Sequence, residues 1–343
     1  MLLDNLRARH YQRCGFSFCR VSVLSKNTLF SVIILAICLV VGLVAGEVVL
    51  RVKNMSMQNY DIEMWRYAKE LKTPSADPAL GHEHIKNSEA LLQSVVIRTN
   101  DWGLRGGPVV DMPAGGRRIL VLGASITLGW GVREEDTMTA LLERKFAEKG
   151  EPVQVLNAGI GNYNAERYVK HFFKDLEGLK PTDIVVHYFL RDAEKLEAGG
   201  GNFFLRNSEL AVTLWIAMNR LIGPSGEASI EEHYKAVYDP QSEGYKTMEA
   251  SLKVLADYAK ANNIRLTLAM VPDVHNLENY PFTDIHSRMK TVAEGMGYRF
   301  VDLLPAFGSL KPSEVWAMPG DPHPNALGHK LMADALFPVL SSP

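Results

Sequence analysis

Two short stretches hold side chains that could do chemistry together. The first, Arg118-Ile-Leu-Val-Leu-Gly-Ala-Ser-Ile-Thr-Leu-Gly-Trp-Gly-Val132, places Ser125 behind Gly123 and ahead of Gly129 and Gly131. The second, Gly320-Asp321-Pro322-His323-Pro324-Asn325, sets an aspartate just before a histidine between flanking prolines. A serine hydroxyl is a poor nucleophile at its own pKa. It needs a neutral imidazole to take its proton and a carboxylate to fix the tautomer of that imidazole. Ser125, His323 and Asp321 are the residue types for that chemistry. Each stretch also has a plainer reading: a serine that only caps a strand-to-helix turn, and a turn with a satisfied histidine.

Such residues must be positioned by regular elements. Ile119–Leu122 is a short apolar run, the pattern of a fully buried parallel strand, and Gly123 ends it. Further strands are predicted at Val153–Leu156, Ile184–Leu190, Leu266–Val271 and Tyr298–Val301. Helical faces lie between them: Met138, Leu141, Leu142 and Phe146, with Asp136 as N-cap and Gly150 as stop; Ala165, Tyr168, Val169, Phe172 and Leu176; Met248, Leu252, Leu255 and Ala259; Ile285, Met289, Val292 and Met296. A last helix is expected over Asn325–Phe337. Strands alternating with helices predict an α/β fold with a parallel sheet covered on both faces. A strand ending in Gly-x-Ser puts the hydroxyl at the carboxyl edge of that sheet, where open α/β folds bind ligands. Residues 193–245 break the rhythm with Gly199-Gly-Gly201, a helical Leu210–Leu221 stretch and Pro224-Ser-Gly226, as an insertion or lid over that edge would.

With these residues in view, the chain resembles the SGNH (GDSL-type) hydrolases. The resemblance rests on Gly123-Ala-Ser125 with Gly129-x-Gly131-Val132 and on Asp321-x-His323-Pro-Asn, and covers about Arg98 to Phe337. Arg98-Thr-Asn-Asp-Trp-Gly-Leu-Arg105 is similar to the lead-in segment of membrane-anchored bacterial members. It implies a three-layer fold of flavodoxin-like strand order, with Ser125 as nucleophile, His323 as base and then acid, and Asp321 as its orienter. It also implies an oxyanion hole from the backbone N–H groups of Ser125 and Gly161, the latter in Asn157-Ala-Gly-Ile-Gly161-Asn-Tyr-Asn164. Asn164 fits a helix N-cap. In His187-Tyr-Phe-Leu-Arg191-Asp192-Ala-Glu194, Arg191 stands where the family has the asparagine of the oxyanion hole. A guanidinium can donate to an oxyanion and brings a full charge, or it can pair with Asp192 or Glu194. Ala124 replaces the family's aspartate, which is not a catalytic group.

The 343 residues, 47% hydrophobic and 22% charged, have a globular composition, and a net charge of −2 argues for no nucleic-acid partner. Residues 1–26 form a basic tail with Arg7, Arg9, Arg13, Arg20 and Lys26 against Asp4 alone; Thr28 to Gly46 carries no charge and is long enough to span a bilayer. With the basic flank in the cytoplasm, residues 27–50 are expected to be a single-pass signal anchor in a bacterial inner membrane, with the remainder in the periplasm or extracytoplasmic space. A cleaved signal peptide, with small residues at Val44-Ala45-Gly46, is the competitor. Residues 51–116 would connect the anchor to a hydrolase domain over 117–343. Cys14 and Cys19 fall in the tail and Cys38 in the span, so the outward domain has no disulfide. An α/β-hydrolase elbow is excluded by Thr127 in place of its second glycine and by an acid adjacent to the histidine. Neither a Gly-x-Gly-x-x-Gly nor a phosphate-loop motif is present. His187, His233, His275 and His329 are scattered, so no metal and no cofactor is expected.

The expected function is that of a serine esterase removing an acyl group, O-acetyl in the first instance, from cell-surface or exported polysaccharide. Lipid esters form a second substrate class. An O-acyltransferase acting on polysaccharide, and a non-catalytic glycan-binding or assembly protein with a degenerate site, are the alternatives.

Overall fold

The computed structural model describes residues 25–196, 203–222, 228–308, 310–319 and 323–342. The basic tail with Cys14 and Cys19, the Gly199–Gly201 run, Pro224-Ser-Gly226 and Asp321 lie outside the described residues. The chain divides into two compact units, Met1–Val49 and Leu50–Pro343. Helix α1 (Lys26–Asn54) has a mean hydropathy of 2.9 over its most apolar window, and is the one helix among the described residues long and apolar enough to cross a membrane. Its side chains from Leu29 to Val44 are exposed around the whole circumference, which suits lipid rather than water.

The second unit opens with helix α2 (Tyr60–Glu70). Asn59 caps it by accepting from the Ile62 N–H, Asp61 and Glu63 sit in its first turn, and Lys69 sits in its last. Two small antiparallel pairs follow: β1 (Lys72–Pro74) with β2 (His82–His84), and β3 (Glu89–Leu92) with β4 (Val95–Arg98). These elements bury Tyr67, Leu71, Leu92 and Ile97 against Leu128 and Trp130 of the main domain.

The main domain then runs β5 (Arg117–Gly123), α3 (Ser125–Leu128), α4 (Met138–Glu148), β6 (Val153–Gly159), α5 (Ala165–His171) and β7 (Asp183–Tyr188). Helices α6 (Phe203–Asn207), α7 (Glu209–Ile222), α8 (Ala228–Val237) and α9 (Glu243–Ala261) lead to β8 (Arg265–Met270). The chain ends with α10 (Thr283–Gly295), β9 (Arg299–Asp302), α11 (Leu304–Phe307), α12 (Pro312–Val315) and α13 (Ala326–Ser341). The five long-range strands form one parallel sheet in the order β6-β5-β7-β8-β9, the flavodoxin-like order. Side chains alternate across it. Leu120 and Leu122 face Tyr168, Leu252 and Met289 on one side, while Ile119 and Val121 face Leu142, Phe146, Met332 and Leu336 on the other. At the opposite edge from the site, buried Asp183 joins three strands, pairing with Arg117 at 2.9 Å and Arg265 at 2.8 Å.

Strand ends shift by one to three residues from the sequence expectation, β6 running to Gly159 for example, and three boundary differences have a clear local reason. Thr137 rather than Asp136 caps α4, because Asp136 is held in the preceding turn by Arg133 at 2.7 Å. The third core strand stops at Tyr188 rather than Leu190, since the Asp192 carboxylate takes the Phe189 N–H at 3.1 Å and turns the chain. The last helix continues through Pro338 to Ser341. Its terminal carbonyls are held from the sheet: Arg117 donates to Leu340 O at 2.9 Å and Arg299 to Val339 O at 3.1 Å.

Candidate active site

Strand β5 leaves the sheet at Gly123, and α3 begins two residues later with Ser125, half-buried at the carboxyl edge. In this strand order β6 and β7 lie on opposite sides of β5, and the connections around it diverge to leave a crevice. His323 enters the crevice from the C-terminal side. Its Nε2 lies 2.7 Å from Ser125 Oγ, and the ring is buried, 6.0 Å from that of Tyr60 between centroids. The His323 loop is clipped on both sides: Ala317 N–H donates to His323 O at 2.8 Å, and Asn325 N–H to Val315 O at 2.7 Å. The Asn325 side chain then caps α13, accepting from the N–H groups of Leu327 and Gly328.

The turn carrying Ser125 rests on groups that the motifs did not single out. Arg105, 4% exposed, donates to the carbonyls of Leu128 at 2.5 Å, Gly129 at 2.6 Å and Val132 at 2.6 Å. Gly129 closes α3 in the left-handed region with φ +79°, where a Cβ would lie 2.9 Å from Arg105 Nη1. Asn157 on β6 donates to Thr127 O at 2.7 Å and to Thr139 Oγ1 at 3.2 Å. Burial pulls Arg105 down to about 10 and His187 down to about 3; the latter exchanges a 2.9 Å hydrogen bond with Thr127 Oγ1.

Gly161 sits in the turn after β6, but its N–H is engaged. It donates at 2.9 Å to the buried Tyr67 Oη. The tautomers follow along this chain. Gly103 O can only accept, so His84 Nδ1, 2.8 Å away, carries the proton; Nε2 then accepts from the Tyr67 hydroxyl at 2.7 Å. Burial, the main cause, keeps His84 neutral with a pKa of about 3. Gly161 O is taken by His82 Nε2 at 2.9 Å and Lys72 Nζ at 3.3 Å. The next residue, Asn162, is left-handed at φ +65°, and its N–H has no acceptor among the described residues.

Ser125, His323, Asn162 and Arg191 line one cavity of about 320 Å³, within the size range of small-molecule sites. Tyr60, Met64, Trp65 and Lys72 form another part of its wall. Arg191 Nε pairs with Glu194 Oε2 at 3.3 Å, and its side chain is 54% exposed. The structure thus gathers Ser125, His323 and Arg191, turns the Gly161 N–H toward Tyr67, and leaves Asp321 outside the described residues. Among the described residues, no group of three or more His, Cys, Asp and Glu side chains is placed to hold a metal ion.

Asp192, also at the cavity, is pushed up by burial from an ordinary 3.8 to about 8. Below the ordinary carboxylate range the acid is protonated in both folded and unfolded chains and costs nothing. As pH rises from about 4 toward 8 only the unfolded chain ionises freely, so stability is lost. Asp192→Asn keeps an acceptor for the Phe189 N–H and removes this slope. The variant is expected to melt above wild type at pH 8 and level with it near pH 4; parallel melting curves across that window would rule this out.

A doubly wound parallel sheet, with a serine turned up at its carboxyl edge against an imidazole, is the framework of an α/β ester hydrolase. The family can be named as well: the GDSL-like lipase/acylhydrolase profile matches residues 121–331, more than half of the chain, and the chain belongs to that family. The structure is similar to an acetylxylan esterase from Geobacillus stearothermophilus, with 18% identity, 66% of this chain and 95% of that chain covered, and a TM-score of 0.45. It is also similar to an α/β hydrolase from the metagenome of Lake Arreo (19%; 65% and 94% covered; TM-score 0.43) and to a psychrotrophic esterase from Pseudoalteromonas sp. (19%; 66% and 100% covered; TM-score 0.39). A comparison with curated proteins gives no match.

Proposed function

We infer that the protein is a serine esterase that hydrolyses a small acyl ester, and the observation that carries this is the 2.7 Å approach of His323 Nε2 to Ser125 Oγ in an open cavity. Ser125 Oγ attacks the ester carbonyl while its proton passes to His323 Nε2. In this reading Asp321 is the carboxylate that orients the imidazole and fixes its tautomer. The oxyanion is held by the backbone N–H of Ser125 and by that of Asn162, because the neighbouring Gly161 N–H is spent on Tyr67. Collapse breaks the ester C–O bond, and the alcohol leaves with the proton from His323. Water then attacks the acyl-serine with His323 again as base, releasing the acid and restoring Ser125.

The acyl group in this reading is acetyl, in keeping with the small cavity. Its carrier is exported or cell-surface polysaccharide, in keeping with a domain held outside the inner membrane by α1 and a basic flank that stays in the cytoplasm. Full-length protein in nanodiscs tests the reading, with p-nitrophenyl acetate as substrate and a fluorophosphonate as probe. Nitrophenol release and a phosphonyl adduct on the Ser125 peptide are expected. Folded protein that neither turns over the ester nor takes the adduct would overturn it.

A further inference from the structure

One wall of the cavity comes from residues that precede the family-matched segment 121–331: Tyr60, Met64, Trp65 and Lys72. Lys72 is half-buried on β1. Its Nζ reaches the Gly161 carbonyl at 3.3 Å and His82 Nε2 at 3.4 Å, and lies 4.6 Å from the centroid of the Tyr67 ring. Among the described residues no carboxylate pairs with it. The titratable groups around it are His82 and His84 on β2, Tyr67 on α2 and Arg167 on α5; none is an anion at neutral pH. Burial first, and repulsion from Arg167 second, bring Lys72 down to about 7. A buried ammonium without a counter-ion is costly, and an anion beside it relieves that cost.

Arg191 supplies a second cation to the same cavity. Glu194 occupies its Nε, while the other carboxylate oxygen of Glu194 is taken by His233 at 2.9 Å. The Nη groups of Arg191 have no partner among the described residues. Among the described residues the one carboxyl group on the cavity wall is Asp192, which burial raises to about 8 and so keeps mainly protonated near neutral pH. The described part of the cavity wall therefore offers the Arg191 guanidinium and the Lys72 amine, which an adjacent anion would hold in its charged form, and no carboxylate that is mainly ionised at neutral pH.

We propose that this cavity selects esters carrying an anionic oxygen group, a carboxylate or a phosphate, close to the acyl bond, with Lys72 and Arg191 as its binding residues. Lysine offers a point charge and arginine a planar fork, a pair that suits a multi-oxygen anion. The charge would be recognised through residues supplied by the segment ahead of the family-matched region. The proposal rests on the esterase reading for its substrate, but the anion site itself can be tested without turnover.

The experiment compares 4-acetoxybenzoate, 4-acetoxyphenyl phosphate and the neutral 4-acetoxybenzamide with full-length wild type, Lys72→Met, Lys72→Arg and Arg191→Gln. The readout is the ratio of kcat/KM for each anionic ester to that for the neutral one, so leaving-group differences cancel between variants. Wild type is expected to favour at least one anionic ester. Lys72→Met is expected to lower that ratio about tenfold or more, the scale of losing one charged partner, and Lys72→Arg to keep part of it. Whichever anion shows the larger drop identifies the group. In parallel, 4-hydroxybenzoate and phenyl phosphate are titrated calorimetrically into Ser125→Ala protein with and without Lys72→Met. Turnover with an unchanged ratio, or equal anion affinity with and without Lys72, overturns the proposal. Lys72-dependent anion binding without any ester turnover would support the anion site and count against the esterase reading.

Discussion

Ser125→Ala is expected to lower ester turnover by about 10⁴- to 10⁶-fold, the range seen when a serine nucleophile is deleted. The substitution removes the atom that would form the acyl intermediate and one hydrogen bond to His323. Ser125 is half-buried and lies at the start of α3, so the fold should tolerate alanine with little change in Tm. His323→Ala should cost a similar factor. The double variant should be no slower than either single one, because hydroxyl and imidazole act as a unit. Multiplicative losses in the double variant would mean that the two residues act independently, and would remove the base role from His323. The comparison is best made with full-length protein under single-turnover conditions, where product release does not mask the chemical step.

Arg105→Met is expected to have the largest effect on stability. Arg105 is buried, no carboxylate touches it among the described residues, and its guanidinium serves three carbonyls of the turn after α3. Methionine fills much of the volume but leaves the Leu128 and Val132 carbonyls unpaired in a dry environment, while Gly129 O keeps only the Val132 N–H at 3.0 Å. The expected loss is about 3–5 kcal/mol, which corresponds to a fall in Tm of roughly 5–15 °C for a domain of this size. Phosphonate labelling of Ser125 should slow as well, since the same turn sets where its Oγ points. Arg105→Lys should recover only part of either effect, because an ammonium lacks the fork that spans three acceptors. A melting curve identical to wild type would show that the turn holds itself.

The sheet was legible because the central strand is an uninterrupted apolar run, Arg118-Ile-Leu-Val-Leu-Gly123, and β6, β7 and β8 carry apolar runs broken only by Gln154 and Asn157, His187 and Thr267. Buried parallel strands leave no alternative use for such runs. The pairing of Ser125 with His323 could be anticipated because nucleophile and base chemistry restricts the residue types. The residues beneath and beside them could not. Lys72 and His84 sit on strands of three residues, too short to show a period, Arg105 lies in a loop, and Tyr67 is one residue of the helix α2. Their roles appear only when β1 and β2 are laid against the turn at Gly161. The turn after β6 illustrates the same limit. The resemblance to the family's glycine block assigns the second N–H donor to Gly161. The left-handed conformation of Asn162, which asparagine tolerates better than most residues, and the partners of Gly161 are set by tertiary contacts.

Ser125 and His323 are separated by 198 residues, and the loop holding the imidazole is secured by the cap of the last helix. At translation speeds of 5–20 residues per second, a ribosome needs about 10–40 s to pass from one to the other. Throughout that interval the nascent chain carries the strand and turn of Ser125 without the imidazole that hydrogen-bonds its hydroxyl. On the proposed esterase reading, the hydroxyl stays inert until synthesis reaches the final helix. A chain cut short anywhere before residue 323 carries the same built-in silence, however well its first strands have paired.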